Sequence, residues 1–185
     1  MNVYDFDQTI YRGDSTRDFY FHCLKKHAVI VKYLPMQAVQ FVKFIFGKVS
    51  KTSFKEKFYS FLKSIPDIDK EVEEFWKTHD KNIKSWYINQ KREDDLIISA
   101  SPDFLLRPIC EKLGISLIAS RVDKFNGITE GENCWGEEKV KRFNAACGGK
   151  INKFYSDSVS DNPLARMAEE AFMVKGDKIL QNNLI

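Results

Sequence analysis

Asp5-Phe6-Asp7-Gln8-Thr9 directly follows a very short apolar run near the start of this 185-residue chain. Such a run, residues 2–6, is typical of a buried β-strand. Two carboxylates at the carboxyl end of a strand lie at the sheet edge where α/β proteins bind ligands. Because alternate residues of a strand share a face, Asp5 and Asp7 can reach one site. Taken alone, however, the pattern is more often an acidic turn in solvent.

The rest of the chain alternates between strand-like and helix-like segments. Further buried strands are predicted from apolar runs at residues 95–99, 116–119, 152–156 and 171–174. Helices are predicted at residues 103–113, 137–147 and 162–169. This alternation predicts an α/β fold, a Rossmann-like parallel sheet flanked by helices and joined by right-handed crossovers.

Proline and glycine mark the boundaries of several of these segments. Ser101-Pro102 and Asn162-Pro163 each place an N-cap residue before a proline at the first helical position. Gly127 and Gly131 predict a turn or small hairpin within residues 121–131.

Residues 14–91 show no strand signal and predict about four helices inserted after the first strand. The predicted domains are therefore a core of residues 1–13 plus 92–185 and a helical domain of residues 14–91. An aromatic cluster in the insertion is predicted to pack in the core of the helix bundle. The alternative is contact with an apolar substrate tail or a membrane surface. The cluster consists of Phe41, Phe44, Ile45 and Phe46.

Charge and composition limit the classes of partner. The net charge is only +3, and lysines are mixed with acids along most of the chain, so no nucleic-acid site is predicted. The most apolar region, residues 28–49, is broken by lysines and a proline, so no stable membrane insertion is expected. The four cysteines lack metal-ligand spacing, and no signal peptide precedes the first strand, which predicts a cytoplasmic protein. The oligomeric state is left open.

Three later motifs supply polar groups that can act with the two aspartates. Ser99 ends one predicted strand, Asp157 and Asp161 follow another, and Lys139 lies at a helix start. Carboxylates without histidine or cysteine suit a hard cation such as Mg²⁺. A hydroxyl and a lysine complete a phosphate clamp, and phosphoryl transfer depends on such positioning and charge neutralisation.

In this order the motifs resemble the haloacid dehalogenase superfamily, specifically the branch that includes phosphoserine phosphatases. The most specific pieces are D-x-D-x-T after the first strand and S-D-S-x-S-D at residues 156–161. The resemblance implies a Rossmann-like core with an inserted helical cap over the site. It also implies a Mg²⁺-dependent phosphomonoester hydrolase that acts on a small phosphorylated metabolite through an aspartyl-phosphate.

The resemblance assigns the chemical roles to individual residues. Asp5 is expected to be the nucleophile, and Asp7 the general acid and base. Asp5, the backbone carbonyl of Asp7 and Asp157 are expected to hold Mg²⁺, with Asp161 acting through a bound water or by orienting Lys139. The residues assigned to the phosphoryl group and its loop are Phe6, Thr9, Ser99, Ala100 and Lys139.

The resemblance is incomplete in the inserted helices, which contain the residues that bind the substrate in that branch of the family. Phosphoserine phosphatases bind the substrate amine with a glutamate, and the matching position here is Asp14. They bind the substrate carboxylate with an arginine, and around the corresponding helix this chain offers only Lys55 and Lys57. Lysine cannot form the bidentate fork that arginine makes with a carboxylate. Phosphoserine is therefore not the expected substrate, although Arg12 or Arg17 could substitute.

Two other functions remain open at this point. Within the superfamily, phosphatases and phosphomutases carry an acid at the position of Asp7, so a phosphomutase or phosphotransferase is an alternative enzyme. A non-catalytic protein that binds a phosphorylated ligand is the second alternative. The presence of both Asp5 and Asp7 favours catalysis over binding alone.

Overall fold

The computed structural model describes residues 1–181 of the chain. One six-stranded sheet contains β1 (Asn2–Tyr4), β2 (Leu96–Pro102), β3 (Ser116–Ser120), β4 (Ile151–Ser156), β5 (Ala168–Lys175) and β6 (Lys178–Gln181). The strand order is β3-β2-β1-β4-β5-β6. Neighbouring strands are parallel except β6, which is antiparallel to β5. The predicted α/β fold with a Rossmann-like sheet is confirmed.

Eight α-helices connect or flank these strands within the described residues. They are α1 (Ser15–Lys26), α2 (Leu34–Ile45), α3 (Lys51–Tyr59), α4 (Ile68–His79), α5 (Ser85–Gln90), α6 (Asp103–Leu113), α7 (Glu137–Ala146) and α8 (Asn162–Ala165). Short 3₁₀ segments, including Ala28–Tyr33 and Ser60–Ser64, join some of them.

The two faces of the sheet have separate hydrophobic clusters. Adjacent residues of a strand point to opposite faces, and Val3 and Tyr4 accordingly belong to different clusters. Val3 packs with Phe143 of α7 and Leu164 of α8. Tyr4 shares the other cluster with Leu105 of α6 and with the inserted helices. Burial of β1 on both faces explains why Val3 and Tyr4, although they point in opposite directions, are both large and buried.

Several sequence-predicted boundaries were wrong. The helix predicted at 162–169 is a single turn, α8, because the chain from Ala168 onward pairs with β4 and becomes β5. Ser101 is not a helix cap, since β2 continues through Pro102 and α6 begins at Asp103. β6 was not predicted because all of its residues are exposed and show no alternating pattern.

The inserted region does not pack as a detached bundle. The indole Nε1 of Trp76 in α4 donates a hydrogen bond to the Leu105 carbonyl in α6 at 2.7 Å. Tyr87 of α5 packs edge-on against Tyr4, with ring centroids 4.9 Å apart. Helix α4 therefore packs on α6 of the core and α5 packs on β1, whereas residues of α2 and α3 line the cavity above the strand ends. The boundaries 14 and 91 stay a prediction.

The aromatic cluster of α2 was predicted to be a bundle core, and this was wrong for three of its four members. Phe41, Ile45 and Phe46 are exposed, although Phe41 has one tilted contact with the Phe54 ring, and the half-buried Phe44 stacks on Phe54. Helix α2 turns Gln37 inward instead, and this buried amide accepts a hydrogen bond from the Tyr20 hydroxyl at 2.9 Å. Satisfying a buried amide fixes the rotation of the helix, and this rotation leaves Ile45 and Phe46 facing solvent.

A tight contact joins the 121–131 hairpin to α3, and it leads to a first prediction. Gly127 has φ +76°, and a Cβ there would lie 2.7 Å from the Tyr59 backbone and side chain. Gly127→Ala should lower the free energy of unfolding by about 2–4 kcal/mol, because overpacking adds to left-handed strain. Gly131→Ala is the control, since Gly131 has φ +79° but open space around it, and should cost about 1 kcal/mol. Equal urea-unfolding losses for the two variants would contradict the close contact.

A buried carboxylate links α1 to α4 and makes stability depend on pH. Glu71 accepts hydrogen bonds from Lys26 at 2.6 Å, His27 at 3.0 Å and His22 at 3.1 Å. Burial acts to raise the pKa of Glu71, but these bonds outweigh it and the pKa is lowered. Stability from a depressed carboxyl pKa is present above the unfolded-state value of about 4.3 and is lost as the pH falls through the folded-state value.

Glu71→Gln should therefore lower the free energy of unfolding at pH 7 by about 1–2 kcal/mol, discounted for the partial exposure of Lys26. The difference from wild type should shrink as the pH falls below about 5. Glu73→Gln, which removes an exposed partner of Lys77 on the same helix, should change little at either pH. A Glu71→Gln penalty that is constant from pH 7 to pH 4 would contradict this assignment.

Candidate active site

The carboxyl ends of β1 and β4 bring the predicted nucleophile and the later aspartates together. Lys139 at the start of α7 donates to Asp5 Oδ1 at 2.6 Å and to Asp161 Oδ2 at 2.8 Å. Ser156, the last residue of β4, also donates to Asp161 Oδ2 at 2.7 Å. All these side chains are buried. The arrangement holds Asp5 in one orientation, with Lys139 fixed between two carboxylates.

Asp7 is held by a different set of partners. The backbone N–H of Ser15 donates to Asp7 Oδ1 at 2.6 Å, and the Ser101 hydroxyl donates to Oδ2. Burial raises the pKa of Asp7 to about 6, and the nearby charge of Asp14 adds to this effect. A carboxyl group with such a pKa can give and take a proton near neutral pH.

The loop between the two acids and the next helix is fixed by buried polar contacts. Gln8 has φ +58°, a left-handed conformation that is uncommon for residues other than glycine. Its carbonyl accepts a hydrogen bond from the buried ammonium of Lys84. Thr9 connects the loops: its hydroxyl accepts from the Asp157 N–H at 3.0 Å and donates to Asp5 at 3.4 Å.

The carboxylates outnumber the cation beside them, which favours a bound metal. Burial raises the pKa of Asp5 to about 7, because Lys139 offsets only part of the effect and Asp161 adds a like charge. Burial also raises the pKa of Asp157. Asp161 Oδ1 is buried and has no hydrogen-bond partner among residues 1–181. An all-oxygen set with excess negative charge fits Mg²⁺.

A cavity of about 580 Å³ opens above these groups. Its floor is made by Asp5, Asp7, Ser99, Ala100, Lys139, Asp157 and Asp161, as the sequence predicted. Asp14 and Arg17 also line it, at the start of α1. Residues from three strand ends, α7 and the inserted helices thus meet at one site.

Four other predicted residues do not contribute to the cavity lining. Arg12 is exposed and pairs with Asp177 at 3.0 Å, so it does not line the cavity. Lys57 is exposed on α3 and also lies outside it. The Phe6 side chain is buried against Tyr11, and the buried Thr9 hydroxyl connects the loop after β1 to the loop after β4. Neither side chain lines the cavity. The specificity roles predicted for Arg12 and Lys57 are therefore not supported by their positions.

A comparison with known protein families agrees with this geometry. The sequence profile of the haloacid dehalogenase-like hydrolases matches residues 3–166. The chain belongs to this family. The match covers the core motifs and the inserted helices, and it confirms the resemblance noted in the sequence. No curated protein sequence matches the chain.

Several solved structures share the fold at low sequence identity. A protein with unknown function from Bordetella pertussis Tohama I superposes with a TM-score of 0.76 and 19% identity, covering 92% of this chain and 87% of that chain. A phosphoserine phosphohydrolase-like protein from Francisella tularensis gives 0.54 and 18%, covering 92% and 86%. A substrate-bound phosphoserine phosphatase gives 0.55 and 20%, covering 91% and 82%.

Helix α3 adds two cations and two aromatic side chains to the cavity lining. Lys51 and Lys55 line the cavity, one turn apart on α3. Lys55 donates to the Ala100 carbonyl at 2.7 Å, and burial lowers its pKa to about 8. Phe54 and Phe58 line it as well. The sequence analysis named only Lys55 of this group, although the i, i+4 spacing of Lys51 with Lys55 and of Phe54 with Phe58 places each pair on one side of the helix.

Proposed function

We propose that this haloacid dehalogenase-like protein is a Mg²⁺-dependent phosphomonoester hydrolase that forms an aspartyl-phosphate on Asp5. The observation that carries the proposal is the different setting of the two neighbouring acids. Asp5 is oriented by the ammonium of Lys139, whereas Asp7 is oriented by the Ser101 hydroxyl and the Ser15 N–H and forms no ion pair with any residue in 1–181. One carboxylate is thus suited to attack, and the other to proton transfer.

The reaction would run in two displacements at one phosphorus atom. A carboxylate oxygen of Asp5 attacks phosphorus, the bond from phosphorus to the ester oxygen breaks, and Asp7 gives its proton to the departing oxygen. Water then attacks the phosphoryl group on Asp5, Asp7 takes the water proton, and the Asp5 carboxylate and phosphate are released. The backbone N–H groups of Phe6 and Ala100, with Ser99 and Lys139, would bind the phosphoryl oxygens.

The predicted metal site lies among the same residues. Asp5, the backbone carbonyl of Asp7 and Asp157 would hold Mg²⁺, and Asp161 would keep Lys139 in position. The ion would supply positive charge against the phosphoryl oxygens, which phosphoryl transfer needs most. The excess of buried carboxylates over lysine supports this assignment.

The cavity walls favour a phosphomonoester with an apolar substituent. Four large aromatic side chains line the cavity together with the catalytic residues: Phe41, Phe54, Phe58 and Trp135. Apolar pocket walls bind the apolar part of a ligand, while a few polar groups fix its orientation. Lys51 and Lys55 add positive charge to the cavity lining. Action in the cytoplasm remains part of the proposal.

A panel of phosphomonoesters with and without Mg²⁺ tests the function. We expect hydrolysis of p-nitrophenyl phosphate and alkyl phosphates, loss of activity with EDTA, and its return with Mg²⁺. The kcat/KM for aromatic or alkyl esters should exceed that for phosphoserine. Phosphoryl transfer to an added alcohol in place of water would favour the phosphotransferase. Binding of phosphomonoesters without any turnover would favour the non-catalytic ligand-binding protein.

A further inference from the structure

Helix α2 presents an exposed apolar surface on the side away from the core. We call this surface the α2 face; it consists of Leu34, Val39, Phe41, Val42, Ile45 and Phe46. Ile45 is 63% exposed and Phe46 is 72% exposed. Four of these positions follow i, i+7, i+8 and i+11 spacing, which forms one continuous stripe on a helix. A contiguous apolar patch of this kind marks an interaction site.

The segment of sequence that contains the α2 face carries charge of one sign only. Residues 19–55 contain no aspartate or glutamate and carry seven lysines, Lys25, Lys26, Lys32, Lys43, Lys48, Lys51 and Lys55. Elsewhere the chain mixes both signs, so the run is a local feature. The exposed lysines Lys25, Lys32, Lys43 and Lys48 form no ion pair with any residue in 1–181.

We propose that the α2 face binds an anionic lipid surface. Interfacial helices combine a stripe of large apolar residues with flanking lysines, so that apolar burial and attraction to anionic headgroups act together. The positive charge of the lysines distinguishes an anionic lipid surface from a second copy of the chain as the binding partner. A second copy of the chain on a twofold axis would bring these lysines against their own symmetry mates, which is repulsive.

The fold favours docking at the surface over spanning the bilayer. The helical stretch Ala28–Ile45 is long and apolar enough to cross a membrane by length and composition. Its inner side, however, is attached to the protein: Gln37 bonds to Tyr20 and to the Phe58 carbonyl, each at 2.9 Å. Spanning would break these bonds and carry Lys32 into hydrocarbon, whereas docking leaves all of them in place.

Docking would also place the cavity beside the lipid. Phe41 belongs to the α2 face and lines the cavity above Asp5. A phosphomonoester with an apolar chain could therefore reach the site from the surface. The binding proposal stands on the α2 face alone and does not depend on catalysis.

Co-sedimentation of the whole protein with vesicles tests the proposal. Vesicles of phosphatidylcholine with one third phosphatidylglycerol should bind the protein, pure phosphatidylcholine should bind it weakly, and high salt should release it. Each lysine near an anionic surface contributes about fivefold to binding, so Lys43→Glu/Lys48→Glu should weaken it at least about 30-fold. Ile45→Glu/Phe46→Glu should weaken it at least about tenfold.

Two control variants make the same kinds of substitution at exposed positions outside the α2 face. Lys175→Glu/Lys178→Glu alters two exposed lysines at the β5–β6 turn, and Phe125→Glu/Ile128→Glu alters two exposed apolar residues of the hairpin. Both should bind vesicles as wild type does. Equal losses in these controls, equal binding to neutral vesicles, or no binding would overturn the proposal. Resistance to alkaline carbonate extraction would replace docking with a membrane span. Hydrolysis of p-nitrophenyl phosphate by the Ile45→Glu/Phe46→Glu variant reports separately on the catalytic site.

Discussion

Asp5→Asn is expected to abolish phosphomonoester hydrolysis, with kcat reduced by at least about 10⁴-fold. An amide nitrogen and a neutral carbonyl cannot displace the ester oxygen from phosphorus, so no aspartyl-phosphate forms. The substitution is nearly isosteric and removes one buried negative charge, so the folded protein should persist. Initial rates with p-nitrophenyl phosphate at saturating Mg²⁺ measure the effect, and the unfolding midpoint confirms folding.

Two further variants identify Asp5 as the nucleophile. Asp7→Asn should lower kcat by about 10²–10⁴-fold, the usual contribution of a general acid or base, but should still bind beryllium fluoride at Asp5. Asp5→Asn should not bind it. Asp69→Asn, the same change at an exposed carboxylate of α4, should leave the rate unchanged. If Asp5→Asn kept even one hundredth of the wild-type rate, attack by Asp5 would be ruled out.

The core of the site was predictable because it depends on sheet geometry. Parallel strands end at the same edge, so acids after β1 and β4 had to lie close to one another. Ser99 could be predicted in the same way, since it lies near the end of β2. Ser101 was misread as a helix cap because nothing in the sequence shows that β2 continues through Pro102. Its hydroxyl instead orients Asp7.

The side of the cavity formed by the inserted helices could not be predicted, because it depends on how these helices rotate against one another. Helix α2 has apolar residues on nearly every side, so its sequence does not say which side faces inward. The buried Gln37 settles the rotation through its bonds to other helices, and these partners are distant in sequence. For the same reason Lys55 reaches the Ala100 carbonyl whereas Lys57 faces solvent.

Lys139→Met is expected to lower both activity and stability, because it removes the buried cation that holds two carboxylates. Breaking a buried ion pair from one side costs about 3–5 kcal/mol. Methionine has a similar length, so lost packing contributes little. Without added Mg²⁺, urea unfolding at pH 7 should show a loss of about 3 kcal/mol, and hydrolysis should fall at least about 100-fold.

The pH dependence separates a charge effect from a packing effect. Without Lys139, the folded-state pKa of Asp5 should rise further above its unfolded value, since burial already raises it with the lysine present. The folded protein then binds more protons than the unfolded chain, so the stability of the variant should fall as the pH rises from 5 to 8. Lys141→Met, the same substitution at an exposed position of α7, should behave as wild type throughout. A Lys139→Met penalty that does not vary with pH would mean that the lysine supports packing, not the charge of Asp5 and Asp161.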